Sequence, residues 1–229
     1  MIASILLGGL LVAAALPEAE GGAEGARAGA AAEEPAIPRE LVAGECVLST
    51  NATAAEIVRS CRTMVPADVR LEGRLILRTR KGIVQAEYGY VLVRKGGATE
   101  LSLADGDGKS VPFEKSGRIL KTDVTWSDLT LDYLWWDDFS FDPEREAESV
   151  HGQTCLVILM KKGERTVRVW VDRKTGALMQ AEELAGGKAV RRLWGTRIKK
   201  FGERWMANVM EVETVGSGHR TKITVEELK

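Results

Sequence analysis

Nine short runs of residues, each ended by a polar or glycine-containing turn, constrain the fold of this chain more than any other feature. The first shows the pattern, because Val69, Leu71 and Leu75 alternate with polar residues as in a half-buried strand. Strands joined by hairpin-type turns predict one antiparallel sheet rather than parallel βαβ units. A sheet of about nine strands curls, and its concave face must be filled by side chains, helices or a ligand. The runs cover residues 69–78, 83–94, 98–104, 153–161, 166–172, 178–184, 189–200, 204–215 and 219–228.

Two segments carry helical signals. Residues 53–64 place apolar side chains at helical spacing, Thr53 and Glu56 form a capping-box pattern, and Pro66 blocks continuation. Residues 125–136, TWSDLTLDYLWW, begin with the same pattern and form a second predicted helix. Because this segment is apolar around most of its circumference, it is either covered on several sides, as in ordinary core packing, or faces an apolar cavity.

The N-terminal part of the chain predicts export. Residues 1–16 are interpreted as a signal peptide, because their apolar run is shorter than the about 20 residues of a membrane-spanning helix and ends in small residues. No Lys or Arg precedes Arg27, so an upstream start, a retained anchor and a buried N-terminal helix stay open as alternatives. Residues 17–40, rich in Ala, Gly and Glu, predict a disordered linker, and residues 41–229 form the folded domain.

The composition argues against several functions. The chain has 32 basic and 33 acidic residues, without the basic excess of a nucleic-acid binder. Two histidines and three cysteines leave little material for a metal site, and no cofactor is predicted. No nucleophile–base motif, phosphate loop or zinc motif occurs, so the sequence predicts a protein that is not an enzyme.

The cysteines lead to one structural hypothesis. Cys46 and Cys61 lie 15 positions apart, and a disulfide between them would contribute about 3 kcal/mol in the loop-entropy model. Alternatively, Cys61 is a small buried residue of the first helix. Cys155 lies in the apolar run CLVILM and is predicted to be in the core.

Apolar and aromatic side chains indicate what the concave face contacts. Methionine and aromatic residues adapt well to chain-like apolar ligands. Core packing explains each of these residues singly, whereas together they favour a cavity. The candidate lining residues are Leu75, Leu77, Tyr88, Tyr90, Leu129, Tyr133, Leu134, Trp135, Ile158, Met160, Trp170, Met206 and Met210.

Three sequence blocks form a familiar combination: WSDL at residues 126–129, GQTCLV at 152–157 and VWVDRKT at 169–175. Together they resemble the outer-membrane lipoprotein-sorting protein family, the LolA-like periplasmic carriers, in its divergent branch. The resemblance covers about residues 53–229, and the block at 169–175 is its most specific part.

This resemblance implies a mainly β fold in which a single curved antiparallel sheet forms a half-open barrel capped by short helices. It also implies a cavity for acyl chains of lipids or lipoproteins, a periplasmic location, and inner- or outer-membrane sorting components as partners. Arg74 and Arg78 are candidates for the family's functional arginine, and a solvated strand face is the simpler explanation of both. The predicted function is a non-enzymatic carrier in lipoprotein sorting or envelope lipid handling. The alternative is an envelope interaction module with a filled core.

Overall fold

A computed structural model of the chain describes residues 51–66, 68–201 and 204–229. The predicted signal peptide (1–16), the linker (17–40) and Cys46 lie outside these residues. The described elements, in chain order, are α1 (Ala54–Met64), β1 (Val69–Thr79), β2 (Val84–Lys95), β3 (Ala98–Ala104), α2 (Trp126–Thr130), a 3₁₀ helix (Asp132–Trp135), β4 (Asp138–Phe141), β5 (Ala147–Val150), β6 (Gln153–Lys162), β7 (Arg165–Asp172), β8 (Leu178–Ala185), β9 (Lys188–Phe201), β10 (Arg204–Thr214) and β11 (His219–Leu228).

Helix α1 begins where the sequence predicts it. The Thr53 backbone N–H donates to the Glu56 carboxylate over 2.7 Å, and the Glu56 N–H donates to the Thr53 hydroxyl over 3.3 Å. This reciprocal pair satisfies two N–H groups that the first turn leaves without helical partners. The helix buries Ile57, Val58 and Cys61 against the core, as its amphipathic spacing requires.

The eleven described strands form one antiparallel sheet. Their order is β3-β2-β1-β11-β10-β9-β8-β7-β6-β4, and β5 also pairs with β6. Strand β1 pairs with β11, so the first and last described strands are neighbours within the sheet. The nine predicted strands are all present, with bounds that differ by at most one residue.

Two sequence-based predictions of elements need correction. Strands β4 and β5 were not predicted, because each has only four residues that alternate between exposed and half-buried without an apolar run. The single helix predicted over residues 125–136 is wrong. Helix α2 ends at Thr130 because Leu131 adopts the left-handed conformation with φ 54°, and the chain continues as the 3₁₀ helix.

Candidate functional site

One face of the sheet carries most of its buried apolar side chains, and we identify it as the concave face. Leu75 pairs with Ile223, and Ile223 pairs with Met210. Further along the sheet, Val169 pairs with both Ile158 and Ala181. Directly paired residues project from the same face, which extends these pairs into one continuous surface. Seven predicted lining residues lie on it: Leu75, Leu77, Tyr88, Tyr90, Ile158, Met160 and Met210.

A helical segment covers the concave face. We call residues 119–136, which contain α2 and the 3₁₀ helix, the plug. Most of its apolar side chains are buried and belong to the same core cluster as the concave strands. Three of the predicted lining residues are buried in this segment: Leu129, Tyr133 and Leu134. The plug also buries Ile119, Leu131 and Trp136, which the sequence-based prediction did not include.

At one contact, side chains fill the space between the plug and the sheet. Where Leu131 lies near Leu193 and Met210, an apolar void of only ≈ 10 Å³ remains. Pockets for small ligands usually measure about 300–1,000 Å³. At this contact the protein's own side chains therefore leave no room for an acyl chain.

An ion pair attaches the plug to the sheet. The Arg191 guanidinium on β9 donates to both Asp128 carboxylate oxygens of α2, over 2.6 and 2.7 Å. Asp128 also caps α2 by accepting from the Thr125 N–H over 2.6 Å. Burial raises the pKa of Asp128, although Arg191 and the Thr125 hydrogen bonds oppose this rise. The two hydrogen bonds from Arg191 thus suit an ionised Asp128 carboxylate, whereas the buried surroundings of the carboxylate disfavour its negative charge.

Two further contacts position the plug. The Asp123 carboxylate accepts from the Thr221 hydroxyl over 3.1 Å and from the Thr214 N–H over 3.3 Å. At the other end, the Arg62 guanidinium of α1 donates to the backbone oxygens of Leu134 and Trp136, over 2.6 and 3.1 Å. Polar contacts from two strands and one helix therefore surround a mostly apolar interface.

Hydrogen bonding at this interface is incomplete. Among the described residues, five buried side chains have a polar atom without a hydrogen-bond partner. Three of them belong to the plug, and the other two belong to strand residues that donate a hydrogen bond to the plug through another atom. Each such atom costs about 1–3 kcal/mol relative to its hydrated state. The atoms are Asp132 Oδ1, Tyr133 Oη, Trp136 Nε1, Arg191 Nε and Thr214 Oγ1.

The plug backbone is also strained. Leu120 and Leu131 have φ values of 53° and 54°, a region that bulky side chains rarely occupy. A residue held in this conformation costs about 1–2 kcal/mol. The plug therefore combines two strained residues with unsatisfied polar atoms at its interface with the strands.

Two predicted lining residues lie elsewhere. Trp170 pairs with Val157 and Gln180, so it projects from the convex face, opposite Val169. There its indole N–H donates to the Glu148 carboxylate over 2.8 Å. Trp135 is 40% exposed at the margin of the plug, because the break at Leu131 changes the direction of the helical face that follows.

The remaining predictions have simpler outcomes. Met206 is buried in the core cluster, and Cys155 is buried as predicted. The sulfur of Cys61 is buried 3.1 Å from the Gly176 carbonyl oxygen, and its proposed pairing with Cys46 stays a prediction. Arg74 is half exposed in ion pairs with Glu87 and Glu226, as expected for a solvated strand face.

Arg191 is the functional candidate that the sequence reasoning missed. It stands in phase with Leu193 on β9, which places a charge on the apolar face of that strand. A buried charge requires a partner, so the position of Arg191 between Ala189 and Leu193 in the alternation is the sequence signal for this residue. Within the described residues, no group of three or more His, Cys, Asp and Glu side chains is arranged to hold a metal ion, and no helix has the length and apolar character needed to cross a bilayer.

A family model described as "Uncharacterized protein" matches residues 109–229, more than half of the chain. No curated protein matches the sequence. A LolA superfamily protein from Nitrosomonas europaea superposes with a TM-score of 0.60 at 14% identity, covering 78% of this chain and 93% of that one.

Two more solved structures share the fold. A DUF1329 family protein from Desulfovibrio piger superposes with a TM-score of 0.55 at 16% identity, covering 76% of this chain and 89% of that chain. A domain from Vibrio parahaemolyticus assigned to outer membrane lipoprotein sorting also gives a TM-score of 0.55 at 16% identity, covering 76% and 90%. The predicted half-open, LolA-like barrel is confirmed as the fold.

Proposed function

Since the chain belongs to the family whose model matches residues 109–229, and its half-barrel is LolA-like, we propose that it is a non-enzymatic periplasmic carrier of lipid or lipoprotein acyl chains. The acyl chain would bind on the concave face after the plug moves. Its partners would be acylated lipoproteins or lipids and the membrane components that deliver and accept them.

The observation that carries this proposal is the character of the plug interface. A permanent core is closely packed, and its polar atoms are paired. The plug instead covers an apolar face with strained residues and unpaired polar atoms. Strained residues and unpaired polar atoms lower the free energy of local opening, because opening relieves both. The plug is therefore the part of the domain best suited to exchange places with a ligand.

The energies of the exchange are of similar size. An acyl chain of about 16 carbons gains about 0.8 kcal/mol for each buried methylene, or about 12 kcal/mol in all. Displacing the plug exposes its buried apolar side chains, each costing about 1.5–3 kcal/mol and together about 10–20 kcal/mol: Ile119, Val124, Leu129, Leu131, Tyr133, Leu134 and Trp136. Burial of the acyl chain therefore offsets a large part of this cost, while the unliganded protein stays closed.

One observation favours a second function. Where Leu131 packs against it, the concave face is filled by the protein's own side chains, as expected of an interaction module that contacts an envelope partner through its outer surface. The two functions differ in one measurable property. A carrier takes up acyl chains in solution, whereas an interaction module does not.

The test is binding of a fatty acid to protein purified without detergent, followed by native mass spectrometry and by a polarity-sensitive fluorescent fatty acid. Asp128→Asn weakens the ion pair with Arg191 and should raise the apparent affinity at least about fivefold, which corresponds to about 1 kcal/mol of easier opening. Glu226→Gln is the matched control, because it removes a carboxylate from the exposed pair with Arg74, away from the plug.

The expected result is stoichiometric binding, stronger in Asp128→Asn and unchanged in Glu226→Gln. Both variants are first checked by urea unfolding to confirm that they fold. Absence of uptake by folded wild type and by folded Asp128→Asn would refute the carrier function and favour the interaction module.

A further inference from the structure

Exposed apolar side chains cluster at one end of the sheet. Four hairpin turns lie at this end: 80–83 between β1 and β2, 163–164 between β6 and β7, 186–187 between β8 and β9, and 215–218 between β10 and β11. We call residues 79–84, 161–165, 185–190 and 214–219 the rim. Of the five large apolar side chains exposed among the described residues, four are in the rim and only Trp135 is not. The four are Ile83, Val84, Val190 and Val215.

Backbone contacts join the neighbouring turns into one surface. The Arg80 N–H donates to the Gly218 carbonyl over 3.1 Å, and the Val215 N–H donates to the Val190 carbonyl over 2.9 Å. Ile83 is 63% exposed at the tip of the first turn. The exposed aliphatic side chains thus line one edge of the domain instead of being scattered singly over it.

The rim is also strongly basic. It contains six basic residues and one acidic residue, Glu164, a net of five positive charges on a chain whose formal net charge is −1. In the part of the chain that the structure describes, only Arg165 of the six lies within salt-bridge distance of a carboxylate. The six are Arg80, Lys81, Lys161, Lys162, Arg165 and Lys188, and all are exposed.

The edge of the plug lies at the same end of the domain. Arg191, which binds Asp128 of α2, follows directly on the rim residues of β9, and it pairs with Thr214 of the rim. A cleft of ≈ 490 Å³ lies beside it and is lined by Lys115, Trp126 and Arg165 among others. A surface that contacts the rim would therefore also face the place where the plug meets the strands.

We propose that the rim docks on an anionic lipid bilayer, with the aliphatic tips entering the interface and the basic side chains contacting lipid phosphates. Charge complementarity supports this partner, since each Lys or Arg near an anionic membrane strengthens binding severalfold and short apolar tips enter the interface. Docking would place the opening of the half-barrel against the membrane, and only this purpose rests on the proposed carrier function. The docking itself is independent of acyl-chain binding.

The experiment is flotation of the protein with vesicles of phosphatidylglycerol and phosphatidylcholine, compared with vesicles of phosphatidylcholine alone. Wild type should bind the anionic vesicles at least about tenfold more strongly, and raising the salt from about 0.05 M to about 0.5 M should remove most of this difference. The double variant Arg80→Gln/Lys81→Gln should lose at least about tenfold in affinity.

The matched control is Lys95→Gln/Lys174→Gln, which removes two exposed positive charges at the opposite end of the sheet. This control should bind as wild type does. Ile83→Ser/Val84→Ser should reduce the binding that persists at high salt, because that part reflects apolar insertion. All substituted side chains are exposed, so the variants should fold, and circular dichroism verifies it.

Equal binding to the two kinds of vesicle, or equal losses in the rim variant and the control, would overturn the proposal. The fatty-acid assay is run on the same proteins. Vesicle binding without fatty-acid uptake would support the docking surface and refute the carrier function. Fatty-acid uptake without vesicle binding would refute only the docking surface.

Discussion

Replacing Tyr133 by phenylalanine should make the protein more stable, although the substitution removes a polar atom from a buried tyrosine. The side chain is 2% exposed, and its hydroxyl has no hydrogen-bond partner. Burial, together with the Asp128 and Asp132 carboxylates, raises the pKa of Tyr133 well above its ordinary value. The hydroxyl therefore keeps its proton and has no acceptor for it.

The magnitude follows from the cost of an unsatisfied group. A buried donor without a partner costs about 1–3 kcal/mol, and removing the oxygen recovers this cost less the lost packing of one atom. We expect Tyr133→Phe to raise the free energy of unfolding by about 1 kcal/mol. Because the plug is held more firmly, the apparent affinity for a fluorescent fatty acid should fall about fivefold.

Tyr90 provides a matched control for the same substitution. It is also 2% exposed, but its hydroxyl donates to the Thr224 carbonyl over 3.1 Å. Tyr90→Phe removes a satisfied hydrogen bond and should lower the free energy of unfolding by about 1 kcal/mol. Urea titration followed by tryptophan fluorescence measures both variants. A loss in Tyr133→Phe as large as that in Tyr90→Phe would refute the reasoning that the plug contains an unsatisfied hydroxyl.

Three more measurements test other parts of the structure. Burial raises the pKa of Asp128, so protonation of this side chain stabilises the folded state, and this stabilisation is lost as the pH rises. Between pH about 3 and about 7, the free energy of unfolding should therefore fall less in Asp128→Asn, which cannot titrate at this position, than in wild type. An equal fall in the two proteins would contradict this. Gly73→Ala would place its Cβ 1.8 Å from the Thr224 carbonyl oxygen, so urea titration should show a free energy of unfolding lower by at least about 2 kcal/mol. The control is Gly89→Ala, whose Cβ would have its nearest atom at 4.0 Å and which should lower the free energy of unfolding by less than about 1 kcal/mol. Equal losses in the two variants would exclude the clash as the cause. In hydrogen exchange, the backbone amides of residues 119–136 should exchange faster than those of β7, and equal protection would show that the plug does not open locally.

The strands could be predicted from the sequence because their signals are local. Alternation along β1 reflects burial on one side only, and the Asp172–Gly176 segment forms the turn between β7 and β8 with Gly176 at φ 72°. In β7, the alternation of apolar and polar residues does not show which face a side chain occupies, because both faces of this strand are buried. Trp170 was therefore assigned to the concave face, although pairing with Val157 places it on the convex one.

The candidate site was less predictable because it depends on contacts between distant parts of the chain. Asp128 and Arg191 are 63 positions apart, and only the register of β9 places the arginine opposite α2. The break at Leu131 was also hidden, since a leucine at positive φ leaves no local signal in composition or periodicity. Tertiary packing holds this conformation against its intrinsic preference.

The convex face explains why the plug, rather than the sheet, is the part expected to move. There the Arg168 guanidinium is buried in ion pairs with the Asp142 and Glu182 carboxylates, and Glu182 also pairs with Arg192. Asp142 lies between β4 and β5, so this network ties the edge of the sheet to β7, β8 and β9. Opening the half-barrel by separating these strands would leave buried charges unpaired, at a cost of about 3–5 kcal/mol for each broken pair. Moving the plug breaks one such pair, Asp128 with Arg191, and relieves strain and unsatisfied hydrogen-bonding groups at the same time.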